Sequence, residues 1–261
     1  MNRSAAHRAI HAVPESQVSL RSFLAKGAVA YPWLASIVGI GAWCFFSNMP
    51  AEIYSYRQDI VFLGIQHIEL VIWAGGFAVL TGVSAGALLS RPAFRRSSEL
   101  ILQIFNLGTT IPTLAILALC MTILGIGAIP AIFGLWAATL LPIVRNTYTG
   151  LRNVPAPLLE AARGMGMTNR QIFFQVEVPN SLFAIFGGVR TGLAICVGTA
   201  PLAFLVGAKS LGELIFTGIA LNELPMMLAG AIPTAILAIL TDLFAAKLQY
   251  YLVSRGINPQ R

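Results

Sequence analysis

LILQIFNLGTTIPTLAILALCMTILGIGAIPAIFGLWAATLLPIV, residues 100–144, contains no Asp, Glu, Lys, Arg or His. A helix needs about 20 apolar residues to cross the hydrocarbon core of a bilayer. The stretch is therefore too long for one crossing and long enough for two. It divides at Gly125-Ile126-Gly127-Ala128-Ile129-Pro130, because glycine and proline punctuate helices. The expected spans are 100–124 and 130–149. Only helices fill them, since lipid offers no partner to an unbonded backbone group.

The same reading extends in both directions. Further spans are expected at 28–46, 68–90, 181–206 and 224–253, the second being free of charge from Leu70 to Ser90. The expectation is an all-α polytopic membrane protein with six transmembrane helices. Its transmembrane domain covers 28–253, between tails at 1–27 and 254–261. Composition agrees. The chain is 57% hydrophobic and only 10% charged, with a mean hydropathy of +0.77. A soluble domain carries roughly 25% charged residues to cover its surface. The stretch up to Lys26 is polar and lacks the apolar core of a cleaved signal, and 28–46 is too long for one.

Lys and Arg set the orientation, because cytoplasmic loops carry an excess of them. With the N-terminus inside, the inner segments hold Arg3, Arg8, Arg21 and Lys26, then Arg91, Arg95 and Arg96, then Arg152, Arg163 and Arg170, and last Arg255 and Arg261. The outer loops keep Arg57 and Lys209 beside Glu52, Asp59, Glu213 and Glu223. Both termini are expected in the cytoplasm of a bacterial cell, with the chain in the inner membrane. The net charge of +7 is spread along short loops, which argues against nucleic acid as a partner.

Four prolines fall inside expected spans: Pro112, Pro142, Pro201 and Pro233. Each removes a backbone donor and kinks or breaks its helix. Small residues are dense at Gly75-Gly76, Gly82-Val83-Ser84-Ala85-Gly86 and Gly187-Gly188. Most of these read as close helix packing.

The longest inner loop, 154–179, reads VPAPLLEAARGMGMTNRQIFFQVEVP. Pro155 and Pro157 suit the first turn of a helix. Leu158, Leu159, Ala161, Ala162 and Met165 give it an apolar side, with Glu160 and Arg163 near its polar side. Gly164 and Gly166 end it. Thr168 caps a second short helix over Asn169 to Val176, which Pro179 closes. A helix, a glycine turn and a helix on the cytoplasmic face suit a partner's groove.

Here the chain resembles the permeases of ABC importers. Their cytoplasmic motif is Glu-Ala-Ala, three residues, Gly, nine residues, then Ile-x-Leu-Pro. This chain has Glu160-Ala161-Ala162, Gly166 and Val176-Glu177-Val178-Pro179, at matching spacing with Val at both aliphatic positions. Thr110-Ile111-Pro112-Thr113, Leu141-Pro142-Ile143-Val144-Arg145-Asn146, Gly188-Val189-Arg190-Thr191 and Ser210-Leu211-Gly212-Glu213 look like the glycine betaine, carnitine and choline branch. The first 60 residues carry no part of the resemblance. It implies a type I importer fold (MetI-like), alternating access, and an osmoprotectant as cargo. It implies that Glu160, Ala161, Ala162, Gly164, Gly166 and Pro179 belong to a coupling loop that docks on separate ABC ATPase subunits. It further implies a second permease subunit, identical or related, and a solute-binding protein outside. Another small solute, such as an amino acid or a sulfonate, is the alternative cargo. A secondary transporter without an ATPase is the alternative class.

Other chemistries find little support. Gly207-Ala208-Lys209-Ser210 lacks the order of a phosphate loop, so ATP is expected to be used by a partner and this chain to need no cofactor. His7, His11 and His67 do not form a metal set, two lying in the polar tail and one at the outer interface. Cys44, Cys120 and Cys196 sit in apolar runs as small hydrophobes. No cluster of catalytic groups supports an enzyme, and no row of acids supports proton drive. Arg190 stands apart, about ten residues into its expected span, and reads as a snorkelling charge or as a coupling or gate residue. Arg145 and Asp242 lie nearer the inner ends of theirs.

Overall fold

The computed structural model describes residues 39, 41, 48–94 and 97–253. The expected tails, and the expected span at 28–46 apart from Gly39 and Gly41, lie outside these residues. The chain divides into two compact units, 1–52 and 53–261. Of the first, the description adds the start of α1 (Met49–Ser55), which Asn48 opens with φ 59°. The second unit carries the architecture that follows.

It is helical throughout, with no strand among the described residues. The elements are α2 (Arg57–Leu89), a 3-10 turn at Pro92–Phe94, α3 (Ser98–Thr110), α4 (Thr113–Leu124), α5 (Ala128–Arg152), α6 (Ala156–Gly164) and α7 (Asn169–Ile172). A π turn at Phe173–Glu177 leads into α8 (Val178–Thr199) and a 3-10 stretch at Ala200–Val206. Then come α9 (Gly212–Leu221) and α10 (Leu224–Leu252). Among the described residues, four helical runs are long and apolar enough to cross a membrane: Arg57–Leu89, Ala128–Arg152, Asn169–Val206 and Leu224–Leu252.

Glycines set how these helices meet. A Cβ added to Gly86 of α2 would lie 2.6 Å from the Thr147 Cβ and 2.7 Å from the Val144 carbonyl oxygen of α5. On the other flank of α5, a Cβ at Gly188 of α8 would lie 2.9 Å from the Pro142 carbonyl oxygen. Such close approach is how helices associate in lipid, where no hydrophobic force drives them together. Gly76 and Gly187 have open space instead. The packing reading therefore holds for Gly75, Gly82, Gly86 and Gly188, and not for their neighbours.

The contacts also fix direction. Gly82 meets Ile143 and Gly86 meets Thr147, so α2 and α5 run parallel. Gly188 meets Pro142 and Asn146 while Gly192 meets Thr139, so α8 runs against α5. Arg190 pairs with Asp242 and Phe183 with Gln249, so α10 runs against α8. One end of the bundle holds the Gly127 N–H bond to the Val206 carbonyl (2.9 Å) and the Tyr56 hydroxyl bond to the Glu223 carboxylate (2.7 Å). The other end gathers Arg91, Arg152 and the segment through Glu177. A core of Leu70, Ala74, Leu117, Leu135, Cys196 and Ala203 ties α2, α4, α5 and α8 together. Ile232, Ile236, Ile239, Leu243 and Phe244 of α10 are exposed, as lipid permits.

Several expectations need correction. The expected span at 100–124 is not one helix. It breaks at Ile111, which is extended at φ −78° and ψ 123° because the following Pro112 crowds the helical region. The two pieces are about 20 Å and 18 Å long at 1.5 Å per residue, so neither crosses alone. The helix expected at 68–90 begins at Arg57, since terminal charges such as Arg57 and Asp59 do not stop a helix. Pro179 does not close α7. The chain passes through it in one helical run, because the π turn supplies a looser register in which the Val178 N–H reaches the Phe173 carbonyl. The Asn180 amide also bonds the Val176 carbonyl at 2.7 Å, and the Ser181 hydroxyl bonds that of Glu177. Pro142 and Pro233 lie inside continuous helices, while Pro201 falls in the 3-10 stretch. His67 is fully buried within the bundle, ten residues past the start of α2.

Candidate functional site

The Glu-Ala-Ala segment forms α6. Pro155 precedes it in an extended conformation, where a missing N–H costs nothing. Its far end is a Schellman closure around Gly166. The Met167 N–H bonds the Ala162 carbonyl at 3.1 Å and the Gly166 N–H bonds the Arg163 carbonyl at 2.9 Å. Gly166 takes φ 77°, a conformation costly for any residue with a Cβ. Gly166 is thus the stop. Gly164 is the last helical residue, and a Cβ there would meet nothing within 4 Å.

The two apolar sides of α6 differ. Ala162 is 1% exposed and Leu159 half-buried, so this pair seats the helix on the bundle. Leu158, Ala161 and Met165, at i, i+3 and i+7, face outward with Glu160 and Arg163. Met165 is 74% exposed, and Phe174 on the following π turn is 66% exposed. Ala162 therefore acts from beneath the exposed face, which the pattern of apolar residues alone does not separate from its opposite.

Thr168 opens α7 with a full capping box. Its N–H bonds the Gln171 Oε1 at 2.8 Å, and its hydroxyl accepts the Gln171 N–H at 3.4 Å. From there the run continues through Pro179, half-buried, into α8. Arg91, just past the end of α2, lies against this run. Its Nη2 is 2.7 Å from the Glu177 Oε2, and its guanidinium stands 4.4 Å from the centre of the Phe173 ring. Residue-type reading places Arg91 only among loop charges.

Arg190, midway along α8, does not snorkel alone. Its Nε and Nη2 donate to the two carboxylate oxygens of Asp242 on α10 at 3.0 and 2.8 Å. Its Nη1 donates to the Gln249 Oε1 at 3.4 Å, and Gln249 donates on to the Phe183 carbonyl at 3.2 Å. The pair is legible: Arg190 is the only charge in 181–206, and Asp242 the only acid in 224–253. Both line an open cavity of about 630 Å³ with Gly187, Thr191, Ala194 and Ile195. Ile195 also lines a second cavity, of about 400 Å³, reached by Gly108, Ile111 and Thr113 at the break between α3 and α4.

The remaining candidates are structural. At the false phosphate loop Ser210 is fully buried, and its hydroxyl lies 3.5 Å from the Pro201 carbonyl, while Lys209 stands over the Phe62 ring. No group of three or more metal-ligating side chains occurs among the described residues.

A polytopic helical bundle with a paired charge inside and an amphipathic helix turned outward at one end defines a membrane transport component. Residues 78–255 match the family of binding-protein-dependent transport system inner membrane components, and the chain belongs to that family. It is 54% identical over 203 residues to the osmoprotectant import permease protein OsmY of Salmonella typhimurium, covering 77% of this chain and 86% of that one. It is 43% identical over 195 residues to the choline transport system permease protein OpuBD of Bacillus subtilis, covering 74% and 83%. It is 38% identical over 196 residues to the carnitine transport permease protein OpuCB of Listeria monocytogenes, covering 75% and 89%. Among solved structures, an inward-facing MetNI methionine ABC transporter shares the fold. The TM-score is 0.66 at 24% identity, over 75% of this chain and 96% of that one.

Proposed function

We propose that the chain carries an osmoprotectant of the glycine betaine, choline or carnitine type, as the permease of an ATP-driven importer. The observation that carries this reading is the 54% identity to an osmoprotectant import permease across most of both chains. Carnitine and choline permeases among the relatives point to the same quaternary ammonium cargo.

In this reading α6 is the docking element. Leu158, Ala161 and Met165 meet a groove of the ATPase, Glu160 pairs with a basic group there, and Gly164 leaves room for the partner backbone. Ala162 and Gly166 hold α6 in shape, and Pro179 lies in the helical run that carries its motion into α8. ATP is bound and hydrolysed by that partner. Arg190 and Asp242 form a gate or coupling pair beside the solute path, which runs between two permease subunits. The basic end of the bundle lies in the cytoplasm of the bacterial cell with both termini. A solute-binding protein delivers cargo at the opposite end, near α9.

The test is reconstitution in proteoliposomes with the cognate ATPase and binding protein. ATP-dependent uptake of radiolabelled glycine betaine, choline or carnitine is expected. Uptake of an amino acid or a sulfonate, with none of these three, would overturn the cargo. Uptake without any ATPase would overturn the class.

A further inference from the structure

We infer that Arg91 is a second mechanical link between the docking element and the membrane bundle, a positioning residue that braces the π turn so that α2 and α8 move together. The inference rests on the docking role of α6 proposed above.

The run from Asn169 to Val206 is the covalent route from α6 into the bundle. A regular helix transmits a push along its axis. This one contains a π turn at Phe173–Glu177, two residues before Pro179. A π turn widens the helix by one residue, and a following proline deletes a further backbone bond. The joint nearest the docking element is therefore a weakened point of the run. Unbraced, it would bend and leave the far part of α8 in place.

One side chain touches both ends of that turn. The Arg91 guanidinium lies over the ring of Phe173, the first residue of the turn, at 4.4 Å. It reaches Glu177, the last residue, at 2.7 Å. The latter is a charge-to-charge approach rather than an aligned hydrogen bond. Arg91 is itself held at the end of α2. Its Nε lies 3.3 Å from the Ala87 carbonyl oxygen, and its Nη2 donates to the Ser90 hydroxyl at 2.9 Å. The Arg91 and Glu177 side chains are 29% and 16% exposed, so water screens the pair less than a surface bridge. A planar cation suits this place, since it stacks on a ring and pairs with a carboxylate at once.

The consequence is mechanical. With the brace, motion at α6 reaches α8 through the chain and α2 through Arg91. Because Gly82 and Gly86 lock α2 onto α5, and Gly188 locks α8 onto the other flank of α5, the three helices then turn as one body. Without it, the run bends at the π turn, and neither the far part of α8 nor α2 follows α6.

The test uses the full complex of permease, ATPase and binding protein in proteoliposomes, reading transported solute per ATP hydrolysed. Arg91→Ala is expected to lower that ratio about tenfold while the ATPase still co-purifies and hydrolyses ATP. Glu177→Gln is expected to lower it in the same direction, and Arg91→Ala with Glu177→Gln no further than either alone. Arg91→Lys keeps the charge but loses the stacking, and is expected to fall between; it also serves if Arg91→Ala does not assemble. An unchanged ratio in an assembled Arg91→Ala or Arg91→Lys complex would overturn the brace. So would loss of ATPase binding in Arg91→Lys, which would make Arg91 an assembly residue. A wild-type permease with which no ATPase co-purifies would instead overturn the underlying docking reading.

Discussion

Gly164 and Gly166 look alike in the sequence, two residues apart in one loop, yet their surroundings ask different things of them. Gly166 holds φ 77° at the Schellman closure, where a Cβ costs about 1–2 kcal/mol. Gly164 is helical and has open space around it. Gly166→Ala is expected to lower the Tm of the purified permease by several degrees. Gly164→Ala is expected to leave Tm unchanged or raise it slightly, since alanine favours a helix over glycine by about 1 kcal/mol. Thermal unfolding in detergent checks both, and a destabilised Gly164→Ala would refute the assignment. If Gly164→Ala nevertheless weakens ATPase co-purification, the missing methyl serves the partner's surface. The buried glycines behave differently again. Gly86→Leu would drive a branched side chain into the Val144 carbonyl and Thr147, and overpacking of this kind costs about 1–3 kcal/mol or more. Its Tm is expected to fall more than that of Gly76→Leu, whose site is open; equal losses would contradict the packing.

At the scale of elements, the runs at Leu224–Leu252 and Ala128–Arg152 lie close to their expected bounds, 224–253 and 130–149, because an uninterrupted apolar stretch has one stable form in lipid. What the sequence conceals is how each proline is handled. Pro112, Pro142, Pro201 and Pro233 all sit in apolar context, but Pro112 breaks its helix, Pro201 falls where α8 gives way to a 3-10 stretch, and Pro142 and Pro233 leave theirs continuous. Pro179 survives through a π turn and side-chain bonds from Asn180 and Ser181, which depend on neighbours rather than on the proline. Likewise, the inward and outward sides of α6 separate only once Ala162 is seen beneath Met165. The break at Ile111-Pro112 lines the cavity that adjoins the Arg190 site through Ile195. Pro112→Ala is expected to join α3 and α4, seen as slowed amide exchange at residues 111–115. Solute uptake is expected to fall at least several-fold with assembly intact. Joined helices with full uptake would show the break to be incidental. The α8–α10 pair has its own signature. Removing one charge leaves the other inside the bundle without its partner, while removing both does not. Arg190→Gln and Asp242→Asn are each expected to lower Tm more than the double variant; additive losses would speak against the pairing.

At the largest scale, the described bundle of the second unit has two unlike ends, and helix directions rather than charge counts establish that they are ends at all. Parallel α2 and α5, with α8 running against α5 and α10 against α8, put the Gly127–Val206 and Tyr56–Glu223 contacts at one end and Arg91, Arg152 and α6 at the other. The two ends differ in charge as two sides of a membrane should. Arg91, Arg152, Arg163 and Arg170 cluster at the α6 end, against Asp59, Glu213 and Glu223 with Arg57 and Lys209 at the other. The excess of Lys and Arg on cytoplasmic loops then selects one of two orientations. In the proposed reading that orientation also puts the exposed α6 face where ATP is available, a requirement that owes nothing to charge. Two arguments with separate grounds therefore converge on one sidedness, and a direct experiment separates them from coincidence. In a background with Cys44, Cys120 and Cys196 replaced by serine, single cysteines are placed at Asn222, beside the Glu223 contact, and at Arg163 on α6. In intact spheroplasts a membrane-impermeant maleimide is expected to label Asn222→Cys. Arg163→Cys is expected to react only after the membrane is opened, and to be protected when the ATPase subunit is bound. Labelling of Arg163→Cys from outside would invert the molecule and leave α6 unable to meet an ATPase. Cytoplasmic labelling without protection would keep the orientation and place the docking surface elsewhere.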